Sequence, residues 1–504
     1  MKSITRATII LSGSSLINMF LSLVTAKVMA VCLLPAGYGM YGLLQSFVGI
    51  ATIVLGMGLS TAIVRYGAHA ISQGDYLAIG TLRRAAWLLF GAASVFALSV
   101  VTVFRIEISN WVLRTRGEGP TILIMSIPLL FSIAANIQMG ILNAYHQVDS
   151  LAKYAIVNSL TSGAISIVLV YTLHTRGVIP VIVAAALCNW ASGRYFLRRD
   201  APQPSVSPSL CEILQAATKL LRFGIPYSAS LLMGAGIQFL MPIVVLHMLN
   251  ADSVGFYRAA LGISTGYLGF LVTAIGQDYY PRVVAAGKDH AVLGKLVNEQ
   301  QRLVLLLAGP VILATLAFVP YLIPLLYSVK FIPTTAILEW QLIGDIFKFS
   351  CWTMSYIILA HSRATTYLFV ESVGGMSLLF TTYAGVSLFH FAGLGIGFLA
   401  SYVIYFVVVW LVARREIALQ LSLQNRKLIL VFVAAAILLK CLSLRPFLTF
   451  RAPVAAAMVA LATAYSATTL LGEFGFPEHL LPADLRSWAD ALFHGRSQIR
   501  QSDN

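Results

Sequence analysis

Polar residues in this chain interrupt long apolar runs instead of alternating with apolar ones, and the runs are too long for the stripes of a water-soluble helix. The first extends from Ile9 to Tyr41 and holds about 25 apolar residues, enough to cross a hydrocarbon core of roughly 30 Å at about 1.5 Å per residue. It closes on a Pro/Gly-rich bend, Leu34-Pro35-Ala36-Gly37-Tyr38-Gly39. Set against their breakers, the runs predict fourteen transmembrane helices, at 9–33, 40–64, 84–104, 120–145, 151–173, 177–197, 223–249, 255–281, 302–328, 334–360, 365–389, 393–413, 427–444 and 452–472. A segment rich in proline, with Pro202, Pro204 and Pro208, interrupts them after the sixth.

The two sides of that interruption are alike. Gly39-Met40-Tyr41 follows the first span and Gly255-Phe256-Tyr257 follows the seventh, an offset of 216 residues from Tyr41 to Tyr257. Six spans per half is an even number, so both halves enter the membrane in the same sense, as parallel repeats do. The expected fold is an all-α polytopic membrane protein. It has an N-terminal six-helix lobe (1–197), a cytoplasmic linker (198–222), a C-terminal six-helix lobe (223–415), two additional transmembrane helices (416–472) and a cytoplasmic tail (473–504). A central cavity is expected between the lobes.

Composition agrees, with 59% of residues hydrophobic and 11% charged, where a soluble domain carries about 25% charged residues. The net charge of +15 does not call for nucleic acid, because the basic residues are spread over short loops. Of the 34 lysines and arginines, 23 lie on the side of the N-terminus and 8 on the other, leaving Lys27, Arg258 and Lys348 within spans. That bias predicts a multi-pass membrane protein with both termini cytoplasmic. Cys32, Cys188, Cys211, Cys351 and Cys441 have no metal-ligand spacing. There is no P-loop, no HExxH pair and no long external loop that would house a catalytic centre, so neither an enzyme nor a cofactor is expected.

The residues that carry chemistry are the polar ones at apolar depth. Lys27 lies about 18 residues into the first span, at about 27 Å of helical rise. Facing lipid it would be costly, so it faces the protein interior or a water-filled cavity, or snorkels to headgroups. Asp345 and Lys348 share a face of span ten, either as a structural ion pair or as a pair that a proton or an anionic ligand competes for. Glu371 is a partner for Lys348, a cavity-lining group or an interfacial one. Arg258 anchors at headgroups or faces the cleft. Asn18, Gln138 and Asn143 hydrogen-bond between helices or meet sugar hydroxyls.

Several segments resemble a known family: Lys27-Val28-Met29-Ala30-Val31 with Pro35-Ala36-Gly37, Arg65-Tyr66, Leu326-Tyr327-Ser328-Val329-Lys330-Phe331, and Trp340-Gln341-Leu342-Ile343-Gly344-Asp345 with Lys348. Together with Glu371 and Tyr402-Val403-Ile404-Tyr405-Phe406 they look like the polysaccharide and oligosaccharide flippases of the MOP exporter superfamily. Within it they are nearest in look to those serving the enterobacterial common antigen. The resemblance covers about residues 1–415. It implies alternating-access movement of an undecaprenyl-pyrophosphate-linked repeat unit to the periplasmic leaflet, for O-antigen, common antigen or exopolysaccharide. The partners implied are that lipid-linked substrate, membrane lipids, and a polymerase and chain-length regulator of the same pathway. On this reading Lys27 is the principal phosphate-facing cation and Arg258 a secondary one. Asn18, Gln138 and Asn143 meet the glycan, and Asp345, Lys348 and Glu371 form a set whose pairing changes. A cation-coupled drug exporter of the same superfamily is the competing expectation, and an integral-membrane glycosyltransferase or ligase the more distant one.

Overall fold

The computed structural model describes residues 2–115, 117–145, 147–201, 208–287, 289–362, 364–443 and 448–474. The proline-rich part of the linker, 202–207, and the expected tail from 475 onward lie outside the described residues. Among the described residues all regular structure is helical. The helices of the first half are α1 (Lys2–Gly56), α2 (Leu59–Ser72), α3 (Tyr76–Val103), α4 (Arg105–Leu113), α5 (Gly119–Ile124), α6 (Ser126–Ala144), α7 (Val148–Leu173) and α8 (Val178–Asp200). Those of the second are α9 (Leu210–Met248), α10 (Ala251–Leu261), α11 (Leu268–Ala285), α12 (His290–Leu326), α13 (Thr334–His361), α14 (Ala364–Phe389) and α15 (Gly393–Ile417), followed by α16 (Leu423–Cys441) and α17 (Leu448–Phe474).

Each of the fourteen expected spans corresponds to one helix or to two in succession. Nine apolar stretches among the described residues are long enough to cross a membrane, and three of them, 17–56, 149–200 and 365–417, run through two spans each. In hydrocarbon a backbone must satisfy its own hydrogen bonds, which is why the apolar runs have no alternative to helix. Helix ends differ from span ends for the converse reason. The chain continues helical into water wherever a side chain caps it, as Asp75 does by accepting from Ala78 N at 2.9 Å. Ser209 and Glu212 form a reciprocal capping box that starts α9 well before its apolar run. The stretch 105–119, expected as a loop, contains α4.

Two breaks shape the fold. Leu34 (φ 63°, ψ 172°) interrupts α1, and Pro35 restarts the helix where its missing N–H costs nothing. Between α10 and α11 the chain makes one turn of π-helix, Gly262–Tyr267.

The chain forms two compact units. The first comprises Met1–Gly262, Pro320–Ile337 and Glu371–Phe398, and the second Ile263–Val319, Leu338–Val370 and Leu399–Asn504. The division follows contacts and not the 216-residue repeat, since three segments of the second half group with the first. In the first unit Leu59, Ala62 and Ile63 of α2 pack with Ala85 and Ala86 of α3 and with Leu129, Ile133, Ile137 and Ile141 of α6. The alanines matter because lipid supplies no hydrophobic drive between helices, so close approach of small residues has to hold them. In the second unit Tyr279 and Val283 of α11 meet Met354, Ile357 and Ile358 of α13 and Val409 and Ala413 of α15. The Tyr279 hydroxyl donates to the Thr353 carbonyl at 3.0 Å. α13 is among the most enclosed spans, with Glu339, Gln341, Asp345, Ser350 and Thr353 all buried, whereas α17 is largely exposed. Polar residues on α13 therefore face protein.

Candidate functional site

The densest polar constellation is built on α13. Asp345 is fully buried, and its Oδ1 accepts from Ser264 Oγ at 2.9 Å. Lys348 Nζ donates to the same Oδ1 at 3.4 Å and to Thr265 Oγ1 at 3.1 Å. Ser264 and Thr265 are consecutive residues of the π-turn, so that single widened turn serves both charges of the pair. π-Turns inside helices concentrate at functional sites. Lys348 Nζ also lies 5.8 Å from the Phe349 ring centroid and 5.9 Å from that of Tyr402.

Not every polar atom there is satisfied. Asp345 Oδ2 has no hydrogen-bond partner, nor has either side-chain polar atom of Gln341, one turn earlier on α13 and also fully buried. Leaving such groups unpaired costs about 1–3 kcal/mol each. An enclosed carboxylate oxygen and a carboxamide four residues apart are groups that a proton, a water molecule or a small cation fits. The sequence reading paired Asp345 with Lys348, and the structure brings those two together. Glu371 is half-buried and belongs to the other compact unit.

The remaining candidates lie in the first unit. Lys27 Nζ donates to the Pro324 carbonyl at 2.6 Å. That oxygen is one of the last four carbonyls of α12, which the helix cannot satisfy itself, and a cation there also suits the helix dipole. Arg258 Nη1 donates to Ser46 Oγ at 3.1 Å. Gln138 is buried, and its Oε1, without a hydrogen-bond partner, lies against Gly193 of α8. Asn18 is half-buried with its Oδ1 unpartnered, whereas Asn143 is exposed, at the end of α6. Asn158 of α7, which the sequence reading did not single out, shares the unpartnered Oδ1. The neighbouring helices α1 and α7 pack closely, with Thr25 Oγ1 within 3.1 Å of where a methyl on Gly163 would sit.

Two polar groupings were missed. Glu339, almost fully buried on α13, pairs with Lys440 of α16 and accepts from Ser443 Oγ at 3.4 Å. At the other end of α16, Asn425 Nδ2 donates to the Asn298 carbonyl at 2.9 Å and to Gln301 Oε1 at 3.0 Å, and Ser422 N donates to Asn298 Oδ1 at 2.8 Å. Glu339 was detectable by the rule that marked Asp345, a carboxylate inside an apolar run. Asparagines in water-facing segments carry no such signal.

Residues 28–336 match the model of a family described as polysaccharide biosynthesis protein. The Lipid III flippase of Escherichia coli (strain K12) is 21% identical over 410 residues, covering 80% of this chain and 96% of that protein. Among solved structures, the Lipid II flippase MurJ in an inward closed conformation is 12% identical with a TM-score of 0.70, over 92% of this chain and 99% of that one. A multidrug resistance MATE family transporter of the MOP superfamily, inward-facing, is 16% identical with a TM-score of 0.67, over 81% and 96%. At those identities the solved structures establish the fold alone, the all-helical fold that this chain shares with those two proteins.

Proposed function

The chain belongs to the polysaccharide biosynthesis protein family, and on that premise we propose that it is a flippase for a lipid-linked oligosaccharide. Its cargo on this reading is an undecaprenyl-pyrophosphate-linked repeat unit of an O-antigen, common antigen or exopolysaccharide, carried from the cytoplasmic to the periplasmic leaflet. Both termini are cytoplasmic, and two six-helix lobes rock about a hydrated cleft. A polymerase and a chain-length regulator of the same pathway take up the product.

The supporting observation is the set of cations at apolar depth. Lys27 rests on a helix-end carbonyl and Arg258 on a hydroxyl, and neither contact is a full countercharge. A pyrophosphate is the part of such a substrate that lipid will not accept, and a lysine ammonium meets it as a point charge. The polyprenyl tail can remain in the bilayer while amides such as Asn18, Gln138 and Asn143 meet glycan hydroxyls. The Asp345–Lys348 pair is the switch: a proton or cation arriving at the unpartnered Asp345 Oδ2 loosens its hold on Lys348. The same oxygen also favours a second reading, a cation-coupled exporter of small molecules.

The test is complementation of a strain lacking its own flippase. Wild type is expected to restore surface polymer and Lys27→Ala to lose most of it at equal membrane abundance. Full export by Lys27→Ala removes that residue from the phosphate contact. Efflux of cationic dyes by proteoliposomes that do not move the lipid-linked saccharide replaces the flippase reading with the exporter one.

A further inference from the structure

The internal repeat has a physical meeting point. Leu34 and Asn250 are 216 residues apart, and both mark a break after which a helix restarts, at Pro35 in α1 and at Ala251 in α10. Asn250 caps its helix by accepting from Ser253 N at 2.9 Å. One turn beyond each restart stands a glycine, Gly39 and Gly255, again 216 apart. These two glycines face each other. A methyl group on Gly39 would lie 2.7 Å from both the Ala251 carbonyl oxygen and the Gly255 nitrogen, and one on Gly255 would run into the Pro35 carbonyl. Pro35 and Ala251 are themselves repeat equivalents, so the contact is reciprocal: each glycine sits on the carbonyl four residues before the other. In a chain built from two parallel repeats, a reciprocal contact of this kind lies on the axis that relates them.

Two further features close the same place, and both break the symmetry. Position 42 is glycine where its equivalent, 258, is arginine. The Arg258 side chain lies over Gly42, its guanidinium carbon 3.0 Å from where a methyl would be, and reaches Ser46. The rings next to the two glycines, Tyr38 and Phe256, both meet the buried Phe331, with centroids 5.7 Å and 5.9 Å away. Tyr327 adds a hydrogen bond from its hydroxyl to the Ala259 carbonyl at 3.2 Å. Everything named here belongs to the first compact unit. It lies at the end of the first span away from the N-terminus.

We propose that the Gly39–Gly255 crossing, roofed by Phe331 and strapped by Arg258 to Ser46, is the outer closure of the transport path, and that release of cargo requires the two glycines to part. This rests on the transport reading above. Backbone-to-backbone contact through glycine leaves no interdigitated side chains to unpick, so it can form and separate as two flat surfaces do. A side chain of any size at either position holds the surfaces apart and moves the equilibrium toward the open state.

The experiment places a single cysteine at Gly49, two turns inward of Gly42 on the same helix face and with open space where its side chain would stand, in a chain whose five native cysteines are replaced by alanine. Intact cells are treated with a membrane-impermeant maleimide. Gly255→Val and Gly39→Val are expected to raise the labelling rate about tenfold or more, the scale on which overpacking a tight contact shifts a two-state equilibrium. Phe331→Ala, which removes bulk without adding any, is expected to raise it less. Should the valine variants fail to insert, Gly39→Ala and Phe331→Ala carry the test. Labelling at the parental rate in inserted variants overturns the closure. Labelling reads the closure whatever the cargo is, so a response in a chain that moves no lipid-linked saccharide keeps the closure and discards the flippase reading.

Discussion

Asp345→Ala is expected to destabilise the second compact unit by about 3–5 kcal/mol, the cost of removing one partner from a buried ion pair, and to abolish export. The carboxylate is fully enclosed, and it is the shared acceptor for Ser264 and Lys348. Without it, the Ser264 hydroxyl loses its acceptor and the Lys348 ammonium, whose side chain is only 18% exposed, loses that carboxylate, while the Thr265 hydroxyl and the rings of Phe349 and Tyr402 stay beside it. Ring faces contribute about 0.5–2 kcal/mol to a cation, less than the loss. Asp345→Asn keeps the shape and one acceptor and should fall between. The informative variant is the double one, Asp345→Asn with Lys348→Met. Removing both charges from a buried site is near neutral or stabilising, so the thermal midpoint of the purified protein should recover relative to Asp345→Ala. Export should not recover if the pair is what changes partners during the cycle. A double variant that exports surface polymer normally would leave the pair a packing element and nothing more.

Much of the architecture is legible because a bilayer is an unforgiving solvent. Fourteen apolar runs can only be helices in hydrocarbon, and a carboxylate three residues before a lysine on one of them can be paired without coordinates. The repeat is legible too, as the shared Gly-x-Tyr at 41 and 257. What the repeat does is not, since Gly39 resting on Ala251 and Gly255 on Pro35 is a backbone contact that leaves no trace in residue type beyond the glycines themselves. Lys27 illustrates the same limit. An intramembrane cation announces that it needs a partner, but the partner is a carbonyl, which every residue has. The π-turn is invisible for a related reason: one extra residue in a helix changes which side chains face α13, and nothing in Gly262-Ile263-Ser264-Thr265-Gly266-Tyr267 spells that out. Hydropathy also fails at helix ends, where Asp75 and Ser209 extend helices into water by capping and not by burial.

The Glu339–Lys440 pair leads to the second large effect. Its two side chains are 3% and 21% exposed, so the carboxylate depends on the lysine more than the lysine depends on it. Lys440→Met is accordingly expected to cost about 3–5 kcal/mol by removing the lysine that pairs with the buried Glu339 carboxylate, and Glu339→Gln less, because Lys440 can turn its ammonium toward the surface. The pair ties α16 to α13 six residues before Asp345, while Asn425, Asn298 and Gln301 hold the opposite end of α16 to α12. Between them, the Phe432 ring lies over Gly309 so closely that a methyl there would collide with it. A helix fastened at both ends and the middle transmits displacement, so export should fall with the stability of Lys440→Met at equal abundance. The double variant Glu339→Gln with Lys440→Met should regain both, since no charge remains to be solvated. The reversed pair, Glu339→Lys with Lys440→Glu, should regain only part. Lys440 stands in the last turn of α16, where the helix dipole favours a cation and disfavours an acid by about 0.3–1 kcal/mol. Thermal midpoints of the four proteins order these effects directly. A Lys440→Met protein as stable as wild type would mean that α16 is held by its packing and its asparagines alone.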